Sequence, residues 1–539
     1  MSGNDAVRDH SGEGVDDHGS HPPGTVQLLT SYSSTRGGEL VLIPTPSDDY
    51  NDPLNWSMWR KCLSFGLLNS VTVATFTALS TLTIFWTQMQ EEIDLSTQDF
   101  TYAQAIQLVG QACTCLFLLP IIRKYGRRPT CIVSSVIVCA CSWWSVYMKS
   151  VPEVYLYNFF MGVAAEVNEA TVQLSMEQIQ STFFLHQRGT TNSIYMASVL
   201  AGSFLTPMAA GVQAVDQGWR RSYLTLAVVM TVLAVLFLVI FEETKFEAPV
   251  LRGTAPGDGE AAHHGELAVD EKDGVSVQED GEPRRAKPSF PRYLRLQFCS
   301  ATDESLWRSY YQPVYACWLP HVIFASLQFA SGVCWLVFMS SMISILFTAP
   351  PYNFDAAEVG FMFAGPCVGA VLGSLYGGPL VDKAVVWFAR RNGGLFEPEM
   401  RLYLYPLPAL LMSGGIVLFG VTADRGLHWI YPSIGGAFFS FGYGAVGDIA
   451  FTLVLDAFPN VFAQSFVCIA FFRNAVGITG PFSITPWLDA MSVTNMHILA
   501  GCLCIFINAL ALPLAIWGKK ARIATAPRYN QVSRRLAEE

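Results

Sequence analysis

Pro120-Ile121-Ile122-Arg123-Lys124 closes the second apolar stretch of this chain, and Pro379-Leu380-Val381-Asp382-Lys383 closes the eighth. The apolar stretches form two sets of about six on either side of a charged segment near residues 244–315, so one phrase ends the same member of each set. Other marks recur with it. Glycine and proline cluster in the fifth stretch, from Gly202 to Gly211, and again in the eleventh at Gly477, Gly480 and Pro481. Glu169 and Glu177 of the fourth are followed at one common offset by Asp448 and Asp456 of the tenth. Secondary transporters build a midplane site between two halves from an internal repeat of this kind. The chain reads as a carrier.

Composition sets the class independently. Of 539 residues 51% are hydrophobic and 14% charged, and the mean hydropathy is +0.34, values of a polytopic membrane protein. A helix crossing a bilayer needs about 20 mostly apolar residues. Leu63–Phe85, Tyr102–Leu119, Cys131–Tyr147, Val154–Gln178, Thr191–Val215 and Ser222–Phe241 supply six such spans. Trp318–Phe347, Val359–Leu380, Leu402–Val421, Leu427–Phe458, Ser465–Ile484 and Asn495–Trp517 supply six more. The predicted fold is all-α and integral to the membrane. It has twelve transmembrane helices, arranged as an N-terminal tail (1–61), a six-helix bundle (62–243), a central loop (244–315), a second six-helix bundle (316–518) and a C-terminal tail (519–539).

Short loops give the orientation, because Lys and Arg beside helix ends stay in the cytosol. Arg60, Lys61, Arg123, Lys124, Arg127, Arg128, Arg188, Lys383, Arg390, Arg391, Lys519, Lys520 and Arg522 fall on one side. Both termini and the central loop are therefore expected in the cytosol. The net charge of −10 comes largely from the tails and the central loop and says little about partners. No basic groove points to nucleic acid. The first 50 residues carry no apolar h-region and read as a disordered tail. The segment from Lys245 to about Arg295 reads as a flexible tether. Most of the thirteen cysteines sit inside spans and read as unpaired apolar fillers. His263-His264 falls in the tether, so no metal is expected.

The loop after the second span, Leu119-Pro120-Ile121-Ile122-Arg123-Lys124-Tyr125-Gly126-Arg127-Arg128-Pro129, resembles the loop 2–3 signature of the major facilitator superfamily, Gly-x-x-x-(Asp/Glu)-(Arg/Lys)-x-Gly-(Arg/Lys)-(Arg/Lys). The resemblance makes Arg123, Lys124, Gly126, Arg127 and Arg128 a gating cluster, with Gly378, Asp382 and Lys383 as its counterpart in loop 8–9. Leu119 replaces the usual Gly and Arg123 the usual acid, whereas Asp382 keeps the acid in the second half. In the fifth span, Gly202, Thr206, Pro207, Ala210 and Gly211 are similar to the Gly-x-x-x-Gly-Pro-x-x-Gly-Gly motif of the family's antiporters, and the same residues also read as small-residue packing with a proline bend.

Further stretches resemble fungal twelve-span drug:H⁺ antiporters. They are Asp52-Pro53-Leu54-Asn55-Trp56-Ser57, Phe183-Phe184-Leu185-His186-Gln187-Arg188-Gly189, Glu242-Glu243-Thr244-Lys245, Tyr352-Asn353-Phe354, Ala389-Arg390-Arg391-Asn392-Gly393-Gly394 with Glu397-Pro398-Glu399, and Ile484-Thr485-Pro486-Trp487-Leu488-Asp489. This likeness covers almost all of residues 50–525.

Ionisable groups inside spans cost several kcal/mol unless they meet a wet cavity or a partner, so each is a functional candidate. Glu166, Glu169, Gln173 and Glu177 lie along one face of the fourth span. The resemblance places that face on a central cavity. A carboxylate in a partly dry cavity is the kind of group a proton carrier requires, and Glu166 and Glu169 are best placed. Glu177 and Asp456, nearer the cytosolic end where a charge costs little, read as solvated surface groups. Arg473, inside the eleventh span, needs an anion: Asp448, or an anionic part of the substrate. Gln104, Gln107, Gln111, Gln328 and Trp335 could dress an apolar pocket.

The reading is a proton-coupled secondary transporter in the plasma membrane, functional as a monomer and not an enzyme. It would export a small amphipathic drug, toxin or secondary metabolite by alternating access, driven by the proton gradient without a cofactor. Import of organic cations or polyamines by proton symport is the alternative, and a transport-dead sensor the remote one.

Overall fold

The computed structural model describes residues 22–27, 58–117, 127–182, 197–240, 311 and 313–537. Nine of its helices are long and apolar enough to cross a bilayer, and Thr97–Phe117, Arg127–Val146 and Val151–Thr182 complete a set of twelve rods. Span 1 is Met58–Ser80 continued by Leu82–Ile93, and it starts before the predicted boundary at 62. Span 2 is Thr97–Phe117, span 3 Arg127–Val146 and span 4 Val151–Thr182. Span 5 ends in Thr206–Gln217, and Trp219–Ile240 is span 6. In the second set span 7 is Pro320–Thr348, and span 8 runs from Ala356–Phe361 through Ala364–Leu375 to Val381–Arg391. Pro406–Asp424, Ile430–Ala457, Phe462–Gly477 with Thr479–Ala490, and Val493–Asn508 continued by Ala511–Ala537 are spans 9 to 12.

Spans 1 to 6 pack on one another, with span 4 against spans 1, 2 and 3. Spans 7 to 12 form a second group in which span 10 packs on spans 7, 8 and 9. The groups meet where span 2 crosses span 11, span 5 meets span 8, and the end of span 1 meets span 7.

Hydrocarbon gives helices no hydrophobic reason to associate, so close contact relies on small residues and interhelical hydrogen bonds. Span 5 shows both. A Cβ at Gly202 would stand 2.6 Å from the Val73 carbonyl of span 1, and Thr206 shares a 2.5 Å hydrogen bond with Thr77. Pro207 has no N–H for the turn before it, and Ala201–Leu205 widens into a π-segment just ahead of it. A π-bulge relieves a proline in this way. The predicted bend is thus a change of helical pitch.

The two ends of the molecule differ. At one, here the terminal face, Val26–Gln27 pairs antiparallel with Leu395–Phe396. Arg522 donates there to the Pro23 carbonyl and to Thr25. This corrects two expectations. Residues 22–27 belong to an ordered contact, and the presumed tail from 519 continues span 12 as helix to Ala537. The central loop lies outside the described residues up to 310. At the far face, Glu92 of span 1 accepts from Trp219 at 2.6 Å and from Arg220 at 2.9 Å, while Arg220 also reaches the carbonyls of Val146 and Met148.

Candidate functional site

Between the two groups lies a cavity of about 280 Å³. Its wall is mostly aromatic and aliphatic, with Phe204, Phe329, Tyr443 and Phe451 among the rings, and its polar groups are few. Such a wall suits an amphipathic molecule held by a small number of placed polar contacts.

The charged part is a cluster that joins the two groups of helices. Arg473 of span 11 donates to Glu169 of span 4 through two nitrogens, at 2.5 and 3.1 Å, and to Glu166 at 2.8 Å. Span 4 can present both carboxylates because three residues separate them, just under one helical turn. Asn474 completes the set, accepting from Arg473 Nε at 3.1 Å and donating to Glu166 at 3.0 Å. The Cys115 thiol of span 2 donates to the other oxygen of Glu166 at 3.2 Å. Glu166 has no exposed side-chain surface, whereas Glu169 keeps 13% and Arg473 12%. Glu169 and Arg473 line the cavity; Glu166 does not. A forked guanidinium between two carboxylates satisfies the geometry that makes such pairs strong. Removing one member of a buried pair costs about 3–5 kcal/mol, because the other is left uncompensated.

Arg473 therefore does not pair with Asp448, which the sequence offered as its partner. The reason is position: Asp448 lines the cavity from span 10 and makes no hydrogen bond through its carboxylate among the described residues. Glu169 and Asp448, repeat-related in the sequence, do face one cavity from opposite halves. Gln104, Gln107 and Gln111 line it as well. Gln328 and Trp335 do not. Gln328 is committed to the Ile507 carbonyl and to Tyr405, and Trp335 is buried against Phe338.

The side chains of Gln173 and Glu177, like Arg123, Lys124 and Gly126, lie outside the described residues. Arg127 and Arg128 open span 3, and their side chains fall outside too. In loop 8–9, Gly378 has open space around it and Lys383 is exposed. Asp382 accepts from Arg401 at 2.7 Å, and Arg401 reaches Asp456 at 2.6 Å. The counterpart of the gating motif is thus a three-residue bridge whose middle member, Arg401, the sequence reading missed. Gly211 of span 5 sits against Ala356 of span 8, where a Cβ would come within 2.5 Å of the Ala356 carbonyl. Pro207 is buried, and the Ala210 carbonyl accepts from Ser222.

Two further features escaped the sequence. Cys317 and Cys468 form a disulfide between the segment just before span 7 and span 11, against the expectation of unpaired cysteines. Glu399, buried beside loop 8–9, accepts from Arg522 at 2.8 and 2.7 Å and contacts His321 at 3.2 Å. Burial alone would raise its carboxyl, but the His321 contact and the Arg522 guanidinium outweigh it and hold the group down to about 2.

Residues 68–521 match the Major Facilitator Superfamily. An uncharacterised MFS-type transporter of Schizosaccharomyces pombe is 28% identical over 94% of this chain and 94% of its own length. Protein HOL1 of Saccharomyces cerevisiae is 26% identical over 96% and 97%. A probable drug/proton antiporter of the same yeast is 22% identical over 87% and 86%.

Proposed function

Because this chain belongs to the major facilitator superfamily, a family of membrane transporters and not of enzymes, we propose that it is a proton-coupled carrier exporting a small amphipathic compound by alternating access. One observation carries the coupling. Glu169 and Arg473 face the cavity, belong to opposite halves, and hold those halves together through their ion pair. A proton on Glu169 weakens that pair, so the state of the proton and the separation of the halves become linked. Glu166, enclosed and held by Asn474 and Cys115, keeps Arg473 in place while Glu169 lets go. The likeness to a probable drug/proton antiporter supports export. The cationic loops support both termini in the cytosol, and the reading places the carrier in the plasma membrane as a monomer working on the proton gradient.

The unpartnered Asp448 favours a second reading, import of an organic cation, since a cavity with one uncompensated carboxylate attracts positive charge. Deleting the gene separates the two. Retention of an added amphipathic compound rises in the deletant if the carrier exports and falls if it imports. Efflux of a preloaded fluorescent dye should collapse on adding an uncoupler with ATP held constant; efflux that continues unchanged removes proton coupling.

A further inference from the structure

On the far-face side of the cavity, polar contacts join the last third of span 7 to the first two spans. Ser341 lies 2.6 Å from the side-chain oxygen of Gln104, and the Ser344 hydroxyl meets the Thr83 carbonyl. Each serine also has an acceptor in its own helix. Ser341 reaches the Val337 carbonyl at 2.8 Å and Ser344 the Ser340 carbonyl at 3.4 Å. A hydroxyl has one proton to donate, so each serine serves either the seam or its own helix. When the seam parts, the protons return to carbonyls one turn back and no hydroxyl is orphaned. The contact is specific when made and cheap to break.

Gln104 has a second allegiance. It lines the cavity, and among the described residues the hydrogen bond to its side chain falls on the oxygen, which leaves the amide nitrogen for a ligand. Gln107 and Gln111 continue its face along the same wall, and one turn further Cys115 bonds Glu166. A molecule lying against this row touches the charge cluster at one end and the seam at the other.

The geometry points to Gln104 as the residue through which a bound molecule opens the far side: cargo that accepts from its amide nitrogen and turns the side chain draws the oxygen away from Ser341, and Ser341 and Ser344 fall back on span 7. The word cargo rests on the carrier reading; the seam does not. Ser340 lines the cavity, so Ser340→Cys can be labelled by a membrane-impermeant maleimide from the far face only past the seam. Sealed vesicles with a protease-protected C-terminal tag keep the terminal face inside, and peptide mass mapping reports position 340 alone among the cysteines.

Adding Ser341→Ala and Ser344→Ala removes both polar contacts of the closed seam, and labelling should accelerate about tenfold. Bound rhodamine 6G should accelerate it in the parent and not in Gln104→Leu, whereas Gln107→Leu should respond like the parent. Parent-rate labelling in the double serine variant, or no response of the parent to bound dye, overturns the assignment. Failure of the carrier reading looks different: no transport of any dye, with the serine effect intact.

Discussion

Glu166 and Glu169 stand one turn apart with the same chemistry and different surroundings: one is enclosed and the other meets the cavity. Burial sets them apart. The same logic, with the opposite sign, governs Glu399. Its carboxyl is held near 2 against an ordinary value of 4.5. It therefore contributes stability that is complete above about pH 4.5 and lost as the pH falls toward 2. Glu399→Gln should cost about 3 kcal/mol at pH 7, leaving Arg522 buried with no anion. The gap in melting temperature between parent and variant should narrow below pH 4.5. A gap independent of pH would place the loss in packing rather than charge.

Periodicity made the span 4 carboxylates legible, since spacing along one helix is written in the chain. Their partner was not. Arg473 joins Glu169 across 304 residues and Arg522 joins Glu399 across 123, and no local pattern encodes which distant groups meet.

At the scale of elements, glycine and proline announced the bend and the close packing of span 5, while the π-segment appears only in the fold. Gly202→Leu would drive a Cβ into the Val73 carbonyl and the Phe76 side chain, and neither backbone nor core can yield far. Transport should fall at least tenfold, with membrane insertion intact because the span becomes more apolar. Normal transport would mean that spans 1 and 5 need not approach so closely. Helix 519–537 shows the converse case. Its hydropathy drops, so it read as a tail, yet the Arg522–Glu399 pair seats it against loop 8–9.

At the scale of the molecule, the twofold repeat was the most legible feature, and it carried the fold: two groups of six spans with one cavity between them. What the repeat left unstated is its asymmetry. The first half contributes a carboxylate bound by an arginine of the second, and the second contributes Asp448, whose carboxylate has no hydrogen-bond partner among the described residues. Under the proposed alternating access, rocking the halves would separate Glu169 from Arg473, and a proton on Glu169 would weaken the pair that resists it.

Proton coupling through Glu169 is the central claim, and pH-jump transport in proteoliposomes tests it most directly. Parent protein should accumulate a fluorescent amphipathic dye against its gradient when a pH difference is imposed. Glu169→Gln, which keeps the shape and removes the titrating group, should bind the dye with a Kd within about threefold of the parent and show no pH-driven accumulation. Accumulation by Glu169→Gln equal to that of the parent would contradict the account.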